Sequence, residues 1–139
     1  MAQQITTFIA NKPGTLAEFC RILKMHDIDM RAMNVSDAMD FGIVRVVVSD
    51  TDETIRVLRD SGYVCQREDV LAIEVEDQPG ALVGLYTALG EAGVNLDYTY
   101  ALFSGKENKA AFVIKTTDRT HAMETLEKLG VKLLSDDEL

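Results

Sequence analysis

Two short loops carry the residues best suited to chemistry in this chain. Residues 11–16 read Asn-Lys-Pro-Gly-Thr-Leu and residues 77–82 read Asp-Gln-Pro-Gly-Ala-Leu, 66 positions apart; Pro13 and Pro79 are the only prolines. A proline opening a helix fixes φ where its missing N–H costs little. Gly14 or Gly80 behind it has no Cβ and lets a ligand approach the backbone closely. A helix amino end presents unpaired N–H groups and partial positive charge, which suit a carboxylate. Asn11 or Asp77 can accept a hydrogen bond from an ammonium group. The combination fits a zwitterion, and an α-amino acid carries both charges at the right separation.

Other chemistry has little support. The sequence holds no Ser-His-Asp set, no reactive Cys-His pairing and no phosphate-binding glycine loop, so catalysis is not expected. His26 and His121 each lack a second His or a Cys at ligand spacing, so neither a metal nor any other cofactor is expected. Cys20 and Cys65 take the positions of Tyr86 and Leu133 in the other half and read as small core hydrophobes. The net charge is −9, with 8 basic and 10 acidic side chains in residues 1–68 against 6 and 13 in residues 69–139. Such an acidic chain has no electrostatic footprint for a phosphate backbone, which excludes nucleic acid as the expected partner. No apolar run approaches the length that spans a bilayer, and the amino terminus has no signal pattern, so a cytoplasmic protein is expected.

The elements that must position the loops repeat as well. Apolar residues coincide behind each Pro-Gly pair: Leu16 with Leu82, Phe19 with Leu85, Leu23 with Leu89, Ile28 with Val94 and Met30 with Leu96. The chain therefore reads as a tandem duplication, with domains at 1–68 and 69–139. Each half is small enough to be marginal alone, so a shared interface is expected. Residues 4–10 predict a strand, and residues 16, 19, 20 and 23 mark one face of a helix running from Thr15 to His26. Strands at 28–35 and 43–48 follow, then a helix capped by Ser49-Asp50 or Asp52, then a short strand at 63–66. The second half predicts strand 70–76, helix 80–92, strands 95–102 and 110–116, a helix capped by Thr117-Asp118, and strand 131–134. Past the central hairpin the offset grows to 68, so the second hairpin loop is two residues longer. The acidic residues 135–139 read as a solvated, frayed end.

The order β-α-β-β-α-β, twice, is the ferredoxin-like arrangement: an α+β fold with a four-stranded antiparallel sheet and both helices on one face. The strand after the first helix lies at a sheet edge with no proline or lysine to block pairing. Edge-to-edge pairing of the halves into an eight-stranded sheet is expected from that; face-to-face association of chains is expected because Ile43, Val44, Val46, Val47 and Val48 alternate onto both sheet faces while the helices cover one.

Many functions share this topology, so the site must discriminate among them. Phosphohydrolases of this shape need an arginine in a glycine-rich first loop, and metal chaperones a C-x-x-C; neither is present. The RNA-binding version needs stacking aromatics on its central strands, which residues 43–48 lack. The loop [N/D]-x-P-G-x-L, with Ile28-Asp29-Met30 or Val94-Asn95-Leu96 opening strand two, resembles the ACT domain, a small-molecule-sensing module of amino-acid metabolic enzymes. The resemblance covers the whole chain twice and implies a non-catalytic regulatory protein of two tandem ACT units.

It further implies an amino-acid ligand between paired domains, with the loop of one unit facing the start of strand two of the other. The implied contacts are Asn11, Gly14, Thr15 and Leu16, then Asp77, Gly80, Ala81 and Leu82, and from the strand-two openings Asp29, Met30, Asn95 and Leu96. Asparagine and aspartate are inverted between the repeats. Asn11 would face Asn95, a neutral site, while Asp77 would face Asp29, two carboxylates that repel unless a cation intervenes. The expectation is one functional site, nearer Asn11 and Asn95. Leu16, Met30, Met33 and Leu96 hint at a branched-chain, methionine-like or aromatic ligand. A homodimer and an amino-acid metabolic enzyme as partner are also implied, and a ligand-free scaffolding protein is the alternative.

Overall fold

A computed structural model describes residues 1–103 and 105–139. They divide into two compact units, Gln3–Glu68 and Asp69–Leu139, with Met1–Ala2 counted with the second. The first unit contains strand β1 (Ala2–Ala10), helix α1 (Thr15–Met25), strands β2 (Met30–Ala38) and β3 (Phe41–Val48), and helix α2 (Thr51–Asp60). Strand β4 (Cys65–Glu76) closes the first unit with its opening residues and begins the second with the rest. Helix α3 (Val83–Glu91), strands β5 (Tyr98–Leu102) and β6 (Lys109–Lys115), helix α4 (Arg119–Lys128) and strand β7 (Lys132–Leu134) complete the second unit.

Each unit is ferredoxin-like. The strand order is β2-β3-β1-β4 in the first and β7-β4-β6-β5 in the second, antiparallel at the recorded pairings. The β1–β3 register sets Ile5 opposite Val46 and Thr7 opposite Val44, so the β-branched run of β3 faces β1 residue by residue. The helix-facing side of that sheet buries Ile5, Val44, Val46 and Val48 against Phe19 and Leu23 of α1 and Ile55 and Leu58 of α2. In the second unit Leu71, Ile73 and Ile114 meet Leu85 and Leu89 of α3 and Ala122 and Leu126 of α4. Both cores thus follow the 3.6-residue helical and 2-residue strand periods of the sequence.

Several boundaries differ from the sequence reading. The strands expected at 63–66 and 70–76 are one continuous strand, so seven strands form among the described residues where eight were expected. Nothing between them breaks it, because no Gly or Pro falls among Arg67, Glu68 and Asp69. Helix α3 begins at Val83, three residues after Gly80, and β5 begins at Tyr98, three after Asn95. The acidic tail forms a 3-10 turn at Asp136–Glu138, held by Ser135 in a capping box and by an ion pair from Lys132 to Glu138 (3.0 Å). Cys65 is buried as expected and Cys20 is half-buried against the same core. Burial is the main influence that pushes the Cys65 thiol upward, partly offset by Thr7 and Arg59, so it remains an inert thiol.

Candidate functional site

The first loop is tied down by its own polar groups. The Asn11 N–H donates to the Asp40 carbonyl (3.1 Å), and Asn11 Nδ2 donates to the Met39 carbonyl (3.1 Å). These two bonds bolt the loop to the β2–β3 turn, where Met39 holds a left-handed φ of 65°. The Thr15 hydroxyl lies 2.6 Å from the Ala10 carbonyl oxygen and 3.0 Å from that of Lys12, so its one proton is spent inside the loop. Pro13 precedes the helix rather than opening it. Gly14, at φ 89°, is the residue that caps α1, and an L side chain there would be strained.

The second loop keeps the backbone and loses the side-chain bonds. The Asp77 N–H donates to the Asn108 carbonyl (2.9 Å), and Asn108 holds φ 62°, matching Met39. A carboxylate has no N–H to give, so the Asn11-to-Met39 bond has no counterpart. The Asp77 carboxylate makes no hydrogen bond or ion pair among the described residues. Ala81 replaces Thr15 and removes the internal hydroxyl as well. Gly80 repeats the left-handed turn at φ 82°. Beside this loop lies a cavity of about 270 Å³ lined by Val75, Asp77, Gly80, Leu82, Ala110 and Phe112. At the corresponding place in the first unit, the Ile9 side chain lies over Gly42, 3.3 Å from where a Cβ would stand. Ala110 and Phe112 were not anticipated; the two-residue offset that aligns them with Gly42 and Val44 was the available signal.

The helices of each unit begin in different ways. Asp50 caps α2 by accepting from the Glu53 N–H (3.1 Å), and Asp118 caps α4 by accepting from the His121 N–H (3.3 Å). No side chain caps α1 or α3, the two helices that follow the Pro-Gly loops. The first-turn N–H groups of these two helices therefore lack the carboxylate that their neighbours have.

The strand-two openings lie at the other end of each sheet. The Asp29 carbonyl accepts from the Ser49 N–H (2.9 Å), and the Asp29 N–H donates to Ser49 Oγ (3.2 Å), at the end of β3. The first loop contacts the start of β3 through Asp40 instead. Asp29 is also paired with Arg31 (3.3 Å), which lowers its cost as a second carboxylate in any site. The Asn95 carbonyl accepts from Thr116 Oγ1 (2.8 Å), and Asn95 Nδ2 lies 3.5 Å from Asp97. Met30, Met33 and Leu96 pack against the cores of their units. Within a unit, then, the loop residues are brought together and the strand-two residues are held apart from them, because α1 or α3 crosses the length of the sheet between the two.

Among the described residues no group of three or more His, Cys, Asp or Glu side chains is placed to hold a metal ion. Among the described residues no helix is long and apolar enough to cross a membrane. His26 Nδ1 lies 3.0 Å from the Ile22 carbonyl oxygen, and His121 pairs with Asp118.

A protein of Bacteroides thetaiotaomicron has a structure similar to this chain with a TM-score of 0.91 at 32% identity, over 99% of this chain and 94% of that one. The ligand-free regulatory subunit of aspartate kinase from Thermus thermophilus is similar at a TM-score of 0.67 and 14% identity, over 91% and 90%. The regulatory subunit of aspartate kinase from Thermus flavus is similar at 0.62 and 15%, over 91% and 90%. No curated protein matches the chain. The family described as an ACT domain pair matches residues 1–139 end to end, and with both Pro-Gly loops and both βαββαβ units in place, this chain belongs to that family.

Proposed function

We propose that this protein is a non-catalytic regulatory sensor whose Pro-Gly loops bind a free amino acid. The observation that carries the reading is the contrast in capping: α2 and α4 have Asp50 and Asp118 at their amino ends, whereas α1 and α3 have no side-chain cap. A ligand carboxylate can take that role, and Asn11 Oδ1 or the Asp77 carboxylate can accept from the ligand ammonium. The bond from Asn11 Nδ2 to Met39 fixes the amide so that Oδ1 is left for this purpose. Gly14, Thr15 and Leu16, or Gly80, Ala81 and Leu82, bring the backbone to the ligand. Asp29, Met30, Asn95 and Leu96 enter as contacts supplied by a paired unit, since they are remote from the loop of their own. The names of the aspartate kinase regulatory subunits support a regulatory role; a cytoplasmic homodimer acting on an amino-acid metabolic enzyme is the rest of the proposal.

Thermal melts against the twenty amino acids test the proposal. A sensor gains stability as RT ln(1 + [L]/Kd) with at least one of them, about 2.7 kcal/mol at a hundredfold excess over Kd. A flat panel favours a ligand-free scaffold instead. Calorimetric titration of Asn11→Ala and Asp77→Ala then assigns the loop, since the variant that loses binding names the occupied one.

A further inference from the structure

The cavity beside the second Pro-Gly loop lies where the first unit is filled, and the duplication shows what opens it. In the first unit, Ile9 Cγ1 and Val35 Cγ1 stand 3.3 Å and 3.7 Å from where a Cβ on Gly42 would lie, so these two side chains occupy the space over Gly42. The same place in the second unit is ringed by shorter side chains. Val75 stands for Ile9, Ala81 for Thr15 and Ala101 for Val35. The strand registers align them: Val75 faces Ala110 as Ile9 faces Gly42, and Ala101 faces Phe112 as Val35 faces Val44. Strand β5 also ends at Leu102, opposite Ala111, whereas β2 runs on to Ala38 opposite Phe41. The two larger replacements, Ala110 for Gly42 and Phe112 for Val44, add apolar surface to the lining rather than closing it.

The resulting space, about 270 Å³, is below the roughly 300–1,000 Å³ of pockets that enclose a drug-sized ligand, and it suits one small side chain. Val75, Leu82, Ala110 and Phe112 bring no hydrogen-bonding side chain to it, so a polar group placed among them loses water without compensation. Of the charged groups on the lining, Glu76 is paired with Lys109. The Asp77 carboxylate makes no ion pair or side-chain hydrogen bond among the described residues. An apolar wall and an available carboxylate therefore stand side by side. The first loop offers neither, because its space is filled and Asn11 and Thr15 are engaged with Met39 and Ala10.

The geometry points to the second loop as the occupied one, its cavity receiving an aliphatic side chain of the size of valine, leucine or methionine while Asp77 holds the ligand ammonium. This rests on the Pro-Gly loops binding an amino acid, as proposed above, and adds which loop is used and which amino acids it takes. The test is a calorimetric titration of the full chain with alanine, 2-aminobutyrate, norvaline and leucine. Neutral 3-methylbutan-1-ol is followed in parallel by amide chemical shifts. Affinity should rise roughly four-fold per added methylene, the usual gain for burying one. Ala101→Val and Val75→Ile restore residues that the same fold already holds in the first unit, so the fold is kept. Each should weaken leucine, by roughly ten-fold when combined, and leave alanine little changed. The alcohol should give saturable shifts at residues 75–83 and 110–112 that Ala101→Val abolishes. Amino-acid binding without dependence on chain length, filled variants that bind leucine as before, or shifts centred on residues 9–16 would overturn the inference and leave the loops as amino-acid sites. Binding of the alcohol in the cavity without any amino acid would overturn the loops as amino-acid sites and leave the preference of the cavity for an aliphatic group; binding of neither overturns both.

Discussion

The two units share a fold and differ in how they use the same two places on it. In the first, the Pro-Gly loop is stitched by Asn11 and Thr15 to the neighbouring turn and strand. In the second, Asp77 and Ala81 make neither bond, and a cavity opens beside Leu82 and Phe112. At the start of the last strand, β4 in one and β7 in the other, both units are open: the first has a cleft of about 340 Å³ beside Glu18, which makes no ion pair among the described residues, and the second one of about 350 Å³ beside Lys132, which pairs with Glu138. Strand ends show the same exchange: the T-shaped pair Phe8–Phe41 of the first unit is replaced by Glu74 and Lys109, and Lys109 is paired with Glu76. Duplication kept the buried periodicity that makes the fold and released the exposed positions to diverge.

Substitutions that strike equivalent positions can break this comparison or sharpen it. The largest effects should come from the cores, where the units are alike. Phe19→Ala and Leu85→Ala remove equivalent helix-one anchors, one fully buried and the other nearly so, and each should cost about 2–5 kcal/mol in urea unfolding. A much smaller loss at either position would mean that the two cores are not equivalent.

Helix starts come next. Asp50→Ala removes a cap and should cost about 1 kcal/mol, whereas Asn11→Ala, which leaves α1 without a cap as before, should cost less. Gly14→Ala and Gly80→Ala each force an L side chain to a positive φ, at roughly 1–2 kcal/mol. Paired thermal melts check all four, and an Asn11→Ala loss as large as that of Asp50→Ala would show that the loop bonds of the first unit carry real stability.

Acid titration should give a smaller change, shared between the units. Arg56 beside Glu53 in the first, and Lys132 beside Glu138 in the second, hold these carboxyls below the usual glutamate range. A depressed folded-state pKa contributes stability that is present above the unfolded pKa and is lost as pH falls through the folded one. Replacing either glutamate by glutamine should therefore lower stability slightly at neutral pH, where this contribution is fully present, and flatten its loss on the acid side of the ordinary glutamate pKa; both groups are exposed, so solvent screening keeps the effect slight. Smallest of all in its effect on the fold, thiol labelling should discriminate the cysteines. Half-buried Cys20 should react with a disulfide reagent before Cys65, which is buried and has its thiol pushed upward. Reaction of Cys65 first would contradict the packing of β4 on the first core.

Much of this was legible in the residues. Leu16, Phe19 and Leu23 recur as Leu82, Leu85 and Leu89, and that period is enough to specify a helix face, since burial of a repeating stripe is a local property of the chain. The alternating valines of β3 and the turn signals around them likewise require a strand. The Pro-Gly loops announced themselves because Gly14 and Gly80 are needed for a left-handed turn. Other features depended on partners distant in sequence. Whether Asn11 faces outward or donates to Met39, whether Thr15 is free or spent on Ala10, and whether a space exists beside Phe112 are settled by groups that meet only when β1, α1 and the hairpin pack together. The continuity of β4 across Glu68 and Asp69 has the same origin, because a strand's end is set by its neighbours in the sheet as much as by its own residues. The sequence by itself thus determined the duplication, the helix and strand faces and the loop that marks the family. Only the tertiary structure decided which polar groups remain available, since a hydrogen bond made between distant residues leaves no periodic trace along the chain.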